Sequence, residues 1–333
     1  MKKYNVYGMG NALLDIEFDI TPSFLNQQCI EKGLSTLVSE EEQQALIADL
    51  GFDNVRKIAS GGSAANTMIA LQHFGAQCFY SCKIANDKHG DLYYADMVAA
   101  KLDSNIKADS RIDGTTGTCL VLVTADSDRT MKSHLGISNG FSEAELNPVA
   151  LLASEYLYIE GYLVTSDTAM DAILTAKELA KDHDVKIAIT LSDPSLVKYF
   201  KPRFKQILIS GIDLLFCNEE EALEYTGTHL IDAAQYALRD IAKQFVITRG
   251  AKGSLVFDGE ALIEIPAYPA KPIDSVGAGD AYAGAFLYAL THGYSYKQAG
   301  HLASHTAAMI VSQYGPRVSV EQAEESKAAI LVK

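Results

Sequence analysis

The sequence predicts an α/β fold with a small β-sheet set beside the main layers. Three observations lead there. From Glu155 onward, short runs rich in β-branched and aromatic residues alternate with helix-length stretches, the rhythm of a layered βα sheet. Residues 13–20, 30–38, 115–124 and 129–135 read as four short strands without long helices of their own, suited to a separate small sheet. Finally, Asp274-Ser-Val-Gly-Ala-Gly-Asp280 is too glycine-rich for a strand and runs straight into Ala281–Leu290, whose alanines, leucines and aromatics read as a buried helix.

Composition narrows the function classes. The chain has 333 residues, enough for one large α/β unit with an appendage. Its formal charge of −14 argues against nucleic-acid or anionic-membrane partners. Phosphate-bearing small molecules stay open, because a local cradle of backbone amides works inside a negative protein. No apolar run reaches membrane-spanning length, and no secretory segment follows Met1-Lys-Lys, so a cytoplasmic location is expected. The five cysteines are odd in number and form no Cys-x-x-Cys pair; they are expected to be reduced and mostly buried, without zinc.

Taken in order, Tyr4–Gly10 is a first strand ending in a glycine turn. Gly8-x-Gly10 lacks the third glycine of a dinucleotide fingerprint, since Leu13 stands there, and no helix follows. Asn11 and Asp15 flank the start of the next strand, where they can cap turns or bind a polar ligand. Ser39-Glu-Glu-Glu begins a short helix with a capping box. Gly61-Gly62 opens a helix carrying Asn66 one turn in; the glycines let a ligand approach the backbone. Residues 77–84 are a strand, and Asp91–Leu102 an alanine-rich helix. Thr115–Thr124 and Arg129–Leu135 form a hairpin in which Arg129 is expected to be solvated.

In the second half, Ser192-Asp193 closes a strand, Asp193 being a weak ligand candidate and otherwise a helix cap. Asp213–Cys217 is a strand ending at Asn218-Glu-Glu-Glu221. Phe245–Phe257 is strand, glycine turn, strand, with Thr248, Gly250 and Gly253 in the turn; no Walker loop occurs anywhere. At Gly277, Ala278 and Gly279 a helix start leaves backbone N–H groups free to hold an anion, with the Asp280 carboxylate at its mouth. That pairing suits phosphoryl transfer, although Asp is also a common first-turn residue. His305 lies on a small-residue helix and is read as core.

Asp274–Asp280 closely resembles the C-terminal signature Asp-Thr-x-Gly-Ala-Gly-Asp of the PfkB, or ribokinase-like, carbohydrate and nucleoside kinases, with Ser275 in place of Thr. The resemblance implies a three-layer α/β/α ribokinase-like fold: a large nucleotide-binding unit of residues 1–12, 50–110 and 140–333, and a β-sheet lid of residues 13–49 and 111–139. It implies Asp280 as catalytic base, with Gly277, Ala278 and Gly279 forming an anion hole. Gly-Asn-x-x-x-Asp at the start, as in nucleoside-kinase-like members, implies that Asn11 and Asp15 hold sugar hydroxyls, joined by Gly61, Gly62 and Asn66. Asn218, Thr248, Gly250 and Gly253, with Gly279, would hold ATP, and Glu221 would order Mg2+ through water. Asp274 and Ser275 keep oxygens suited to K+, which several family members bind here. The implied reaction moves the γ-phosphoryl of ATP to a hydroxymethyl group, of a ribonucleoside at its 5′-hydroxyl or alternatively of a free sugar such as ribose or a ketohexose. A degenerate ligand-binding protein is the non-enzyme alternative. Exposed lid strands allow a monomer or a homodimer through the lid.

Overall fold

In the computed structural model, residues 2–126, 128–209 and 211–331 are described. A nine-stranded sheet runs in the order β14-β13-β12-β11-β10-β9-β1-β5-β6. In chain order its strands are β1 (Tyr4–Met9), β5 (Cys78–Ser81), β6 (Asp103–Ser104), β9 (Ser154–Ile159), β10 (Lys186–Thr190), β11 (Ile212–Asn218), β12 (Ala242–Thr248), β13 (Ser254–Phe257) and β14 (Leu262–Ile265). Pairing is parallel from β6 through to β12, and β13 and β14 add antiparallel at the edge.

Side-chain alternation sets the layers. Tyr156, Tyr158, Ala188, Leu214, Phe216 and Val246 pack into one core, and their neighbours Leu157, Ile159, Ile189, Leu215, Phe245 and Ile247 into a second core on the opposite face. Both faces are covered by helices, which is why these strands read as nearly continuous apolar runs. The first core takes the helices Ser63–Phe74, Lys88–Ala99, Ala278–Thr291, Tyr296–Val311 and Val320–Ile330. The second takes Asp167–Asp182, Pro194–Leu208, Glu219–Thr226 and Ile231–Leu238.

The second sheet has five strands in the order β3-β8-β7-β2-β4. They are β2 (Leu13–Asp19), β3 (Ser35–Leu37), β4 (Val55–Gly61), β7 (Thr116–Val123) and β8 (Arg129–Gly136). Its outer face carries a small core of Ile16, Phe18, Leu25, Leu120 and Leu122, packed by residues of the helices Pro22–Gln27 and Glu40–Leu50.

Two expectations fail here. Residues 30–38 give only the three-residue β3, because Gly33 takes a positive φ of 82° and breaks the run. And β4, placed by sequence in the large unit, pairs antiparallel with β2 across Leu13↔Gly61 and Asp15↔Ala59. The Arg56-Lys57 pair hid its strand character. The consequence is functional. The chain crosses between the sheets at Gly10–Ala12 and again at Gly61–Gly62, so both sugar-binding candidate segments lie at the same seam.

Candidate active site

The site begins with two helices pressed unusually close. At Gly284 an added Cβ would lie 2.7 Å from the Ala70 Cβ and 3.0 Å from the Thr67 carbonyl oxygen, so only glycine fits there. One turn back on each helix, the close approach brings Asp280 to Ser63 and Asn66. Ser63 Oγ donates to Asp280 Oδ1 at 2.6 Å, and Asn66 Nδ2 donates to Oδ2 at 3.1 Å. Asn66 is itself oriented by Arg317, whose Nε donates to Asn66 Oδ1 at 3.0 Å while its other arm pairs with Asp96. Burial pushes the Asp280 carboxyl up to about 6, opposed by the Ser63 and Asn66 hydrogen bonds and by the Arg317 charge.

Beside Asp280, Gly277 caps the helix in left-handed backbone, and the first intrahelical bond runs from Ala281 N–H to the Gly277 carbonyl at 2.8 Å. The N–H groups of Gly279 and Asp280 precede that bond and point off the helix end. Ala278 departs from expectation: its N–H donates to the Ser275 carbonyl at 3.3 Å, closing the turn, so it is not a free donor here.

The seam supplies the next residues. Gly61 packs directly on Asp15, an added Cβ lying 2.4 Å from Asp15 Oδ2. The Asp15 carboxyl is pushed up to about 7, chiefly by burial, with Arg317 pulling it down and Glu17 pushing it up. Glu160, at the end of β9, accepts from Ala64 N–H at 2.8 Å and from Asn11 N–H at 3.3 Å. It ties the Gly10–Asn11 crossing to the start of the Ser63 helix, and burial raises its carboxyl to about 8.

One cavity of about 830 Å³ joins these groups. Asn11, Asp15, Gly62, Asn66, Asn218, Glu221, Thr248, Ser275, Gly277, Gly279 and Asp280 all line it. Gly61, Ala278, Gly250, Gly253 and Asp274 do not line it; Gly250 and Gly253 shape the turn after Thr248, Gly253 N–H donating to the Gly250 carbonyl at 3.0 Å. The carboxyl ends of β9 through β12 open into the cavity, the usual place for a ligand on a parallel sheet. Asp193 reaches it too, while capping the helix Pro194–Leu208 through Ser195 N–H at 2.7 Å. His305 does not; it bonds Ser326 and packs on Tyr268.

Against this geometry, residues 54–323 match the model of the pfkB family carbohydrate kinases. The chain belongs to that family. It is similar to a solved adenosine kinase from Sinorhizobium meliloti, at 31% identity with a TM-score of 0.92, covering 98% of this chain and 99% of that one. A probable sugar kinase from Rhizobium etli matches at 28% identity and a TM-score of 0.93 over the whole of both chains. An adenosine kinase from Saccharomyces cerevisiae is 27% identical over 96% of this chain and 98% of its own. This pfkB protein is therefore a kinase of ribokinase-like fold.

The residues fit a kinase's magnesium. Glu221 is buried where the end of β11 opens into the cavity and accepts from Asn218 N–H at 2.9 Å and Asn218 Nδ2 at 2.7 Å. Burial holds its carboxyl up to about 8, with Asp193 adding to the rise, so a cation beside it would be welcome. Among the described residues, groups of three or more His, Cys, Asp or Glu that could hold a metal unaided are absent. Mg2+ in phosphoryl transfer characteristically takes one or two carboxylates plus phosphates and water, so that is no obstacle.

They do not fit potassium. Asp274 Oδ2 accepts from Arg129 Nη2 at 2.5 Å and from Gly315 N–H at 3.0 Å, and Oδ1 from Val276 N–H at 3.0 Å. Ser275, the second expected oxygen donor, is exposed. Arg129 itself overturns its expectation of being solvated: its side chain is 8% exposed, with Glu17 Oε1 3.6 Å from its other arm.

Sequence reading missed Ser63, Arg317, Glu160 and the buried role of Arg129. Glu160 had a signal, an acid at the end of an apolar parallel strand. Ser63 lay next to the quoted glycine pair. For Arg317 and Arg129 no local pattern exists, because their partners are distant in sequence.

Proposed function

We propose that this kinase transfers the γ-phosphoryl group of ATP to the 5′-hydroxymethyl group of a ribonucleoside. One observation carries the choice of acceptor. The strand register of the five-stranded sheet puts Asp15, Cys119, Ser133 and Leu37 in one row on its inner face. Leu13 and Leu135 flank that row on one side and Met131 on the other, and all seven line the cavity. Among the small-sheet residues that line the cavity Asp15 is the single carboxylate, with apolar side chains around it, which suits a ribose carrying a flat base that needs walls a free sugar does not. Across the cavity Tyr162 and Phe200 offer aromatic faces. The likeness to two adenosine kinases supports the same reading.

In this reading Asn11, Asp15 and Asn66 hold the ribose, with Gly61 and Gly62 giving room for the approach. Asp280 orients the acceptor hydroxyl and takes its proton. Because the transition state is loose and the proton can leave late, position matters more than basicity. The Gly277 and Gly279 amides hold phosphoryl oxygens; Asn218 and Thr248, backed by the Gly250–Gly253 turn, face the nucleotide. Glu221 would order Mg2+ through water, the ion neutralising charge on the phosphate oxygens when bound.

A free sugar is the second reading, favoured by the likeness to a probable sugar kinase. ADP release with ATP and Mg2+, measured across purine nucleosides, pyrimidine nucleosides, ribose, fructose and their phosphates, separates the two. A kcat/KM for ribose or fructose above that of every nucleoside would overturn the proposal.

A further inference from the structure

The carboxylate of Asp274 joins three segments. Its own turn leads into the anion cradle and is held through Val276 N–H. The closing loop that carries Arg317 is held through Gly315 N–H. Strand β8 of the small sheet is held through Arg129. The Asp274 side chain is only 1% exposed, so a counter-charge there is required rather than optional. The family resemblance implies a monovalent ion at this carboxylate. Here a guanidinium reaches the same carboxylate from the first residue of β8.

We infer that Arg129 is a tethered replacement for a monovalent cation, making this kinase independent of K+ and linking the position of the small sheet to the cradle. The chemistry fits. A guanidinium is permanently charged, weakly hydrated and planar, so it tolerates burial better than an ammonium. Arg129 shares the inner face with Met131, Ser133 and Leu135, two to six residues along β8, all lining the cavity. Movement of that strand away from the cavity would pull the guanidinium from Asp274. The turn before Gly277 would then lose its counter-charge. A mobile ion would impose no such link. Glu17, on the same face of β2, lies 3.6 Å from the second arm and keeps the guanidinium aimed across the seam. Arg129 is thus a positioning residue; it acts on the cradle through Asp274.

The inference rests on the kinase reading, and its test has an arm that needs no substrate. The melting temperature of the parent is measured in KCl, NaCl and choline chloride at equal ionic strength, and the same series is run on Arg129→Ala. The parent is expected to show no K+-selective shift. Arg129→Ala, with the site vacated, is expected to melt lower and to recover selectively in K+ or in millimolar methylguanidinium. In the activity arm the parent rate changes less than about twofold between the salts, whereas Arg129→Ala falls roughly 10²-fold in choline and regains at least about tenfold with K+ or methylguanidinium. A parent activated or stabilised selectively by K+ overturns the inference, as does an Arg129→Ala protein that no small cation restores by either readout. If Arg129→Ala does not fold, the parent series and Arg129→Lys decide: both are expected to be indifferent to K+, and a K+ response in either is contrary. An inactive parent that still melts without K+ selectivity counts against the acceptor assignment alone.

Discussion

Asp274 and Asp280 stand six residues apart in one motif, and the fold treats them in opposite ways. Asp274 is closed off: two backbone N–H groups and a buried guanidinium use its oxygens. Among the described residues the Asp280 carboxylate has a hydroxyl and an amide for hydrogen-bond partners, with Arg317 acting at a remove through Asn66. Burial leaves its carboxyl raised to about 6 and opening onto the cavity. One carboxylate is built to hold segments together. The other is kept under-compensated at the place where a proton has to be received. Glu160, Glu221 and Asp15 are raised by burial as well, so the cavity gathers carboxyl groups whose ionisation is disfavoured until a ligand or cation compensates it.

This contrast can be broken most sharply at Asp280. Asp280→Asn is expected to lower kcat by roughly 10²–10⁴-fold while stabilising the ligand-free protein by about 1–3 kcal/mol in urea unfolding, since a raised carboxyl costs stability when ionised. Asp274→Asn should do the reverse in stability. Loss of the charge opposite Arg129 is expected to cost about 3 kcal/mol by the same measurement, and an unchanged unfolding midpoint would refute the paired role. Asp15→Asn is expected to raise the acceptor KM by roughly 10–100-fold, with the KM for ATP little changed, because the amide offers one acceptor oxygen where the carboxylate offers two.

The pH dependence sharpens the comparison further. The Asp280 carboxyl rises from 3.8 to about 6 on folding, so its contribution to stability is complete below 3.8 and is lost as pH rises through about 6. Activity runs the other way. The rate should fall about tenfold per pH unit below about 6, where the base is protonated. The smallest effect is expected at Ser63. Removing its hydroxyl in Ser63→Ala takes away a bond that favours the ionised form, so the acid limb should move upward by roughly half a unit. A limb that stays in place would show that another group sets it.

Much of the site was legible because backbone chemistry and local pattern defined it. The 277–280 turn is glycine-rich and followed by an apolar helix, and Gly61-Gly62 announces a second such start. Asn218 and Glu221 are spaced for a capping box, and they form one. The reading failed where partners are remote. Strand β4 was overlooked because its exposed face carries Arg56 and Lys57, and only pairing with β2 reveals it. Arg129 looked like a hairpin charge, since nothing near it in sequence speaks of Asp274, 145 residues away.

By itself the sequence determined the βα rhythm, the helix starts with their free amides and the identity of the acid beside them, all of which depend on residues within a few positions of one another. Only the tertiary structure decided that Ser63 and Asn66 reach Asp280, that the small sheet lines the cavity with apolar side chains around the Asp15 carboxylate, and that a guanidinium balances Asp274. Those outcomes follow from close helix packing at Gly284 and from strand register, and each requires distant segments to be brought together before any charge finds its partner.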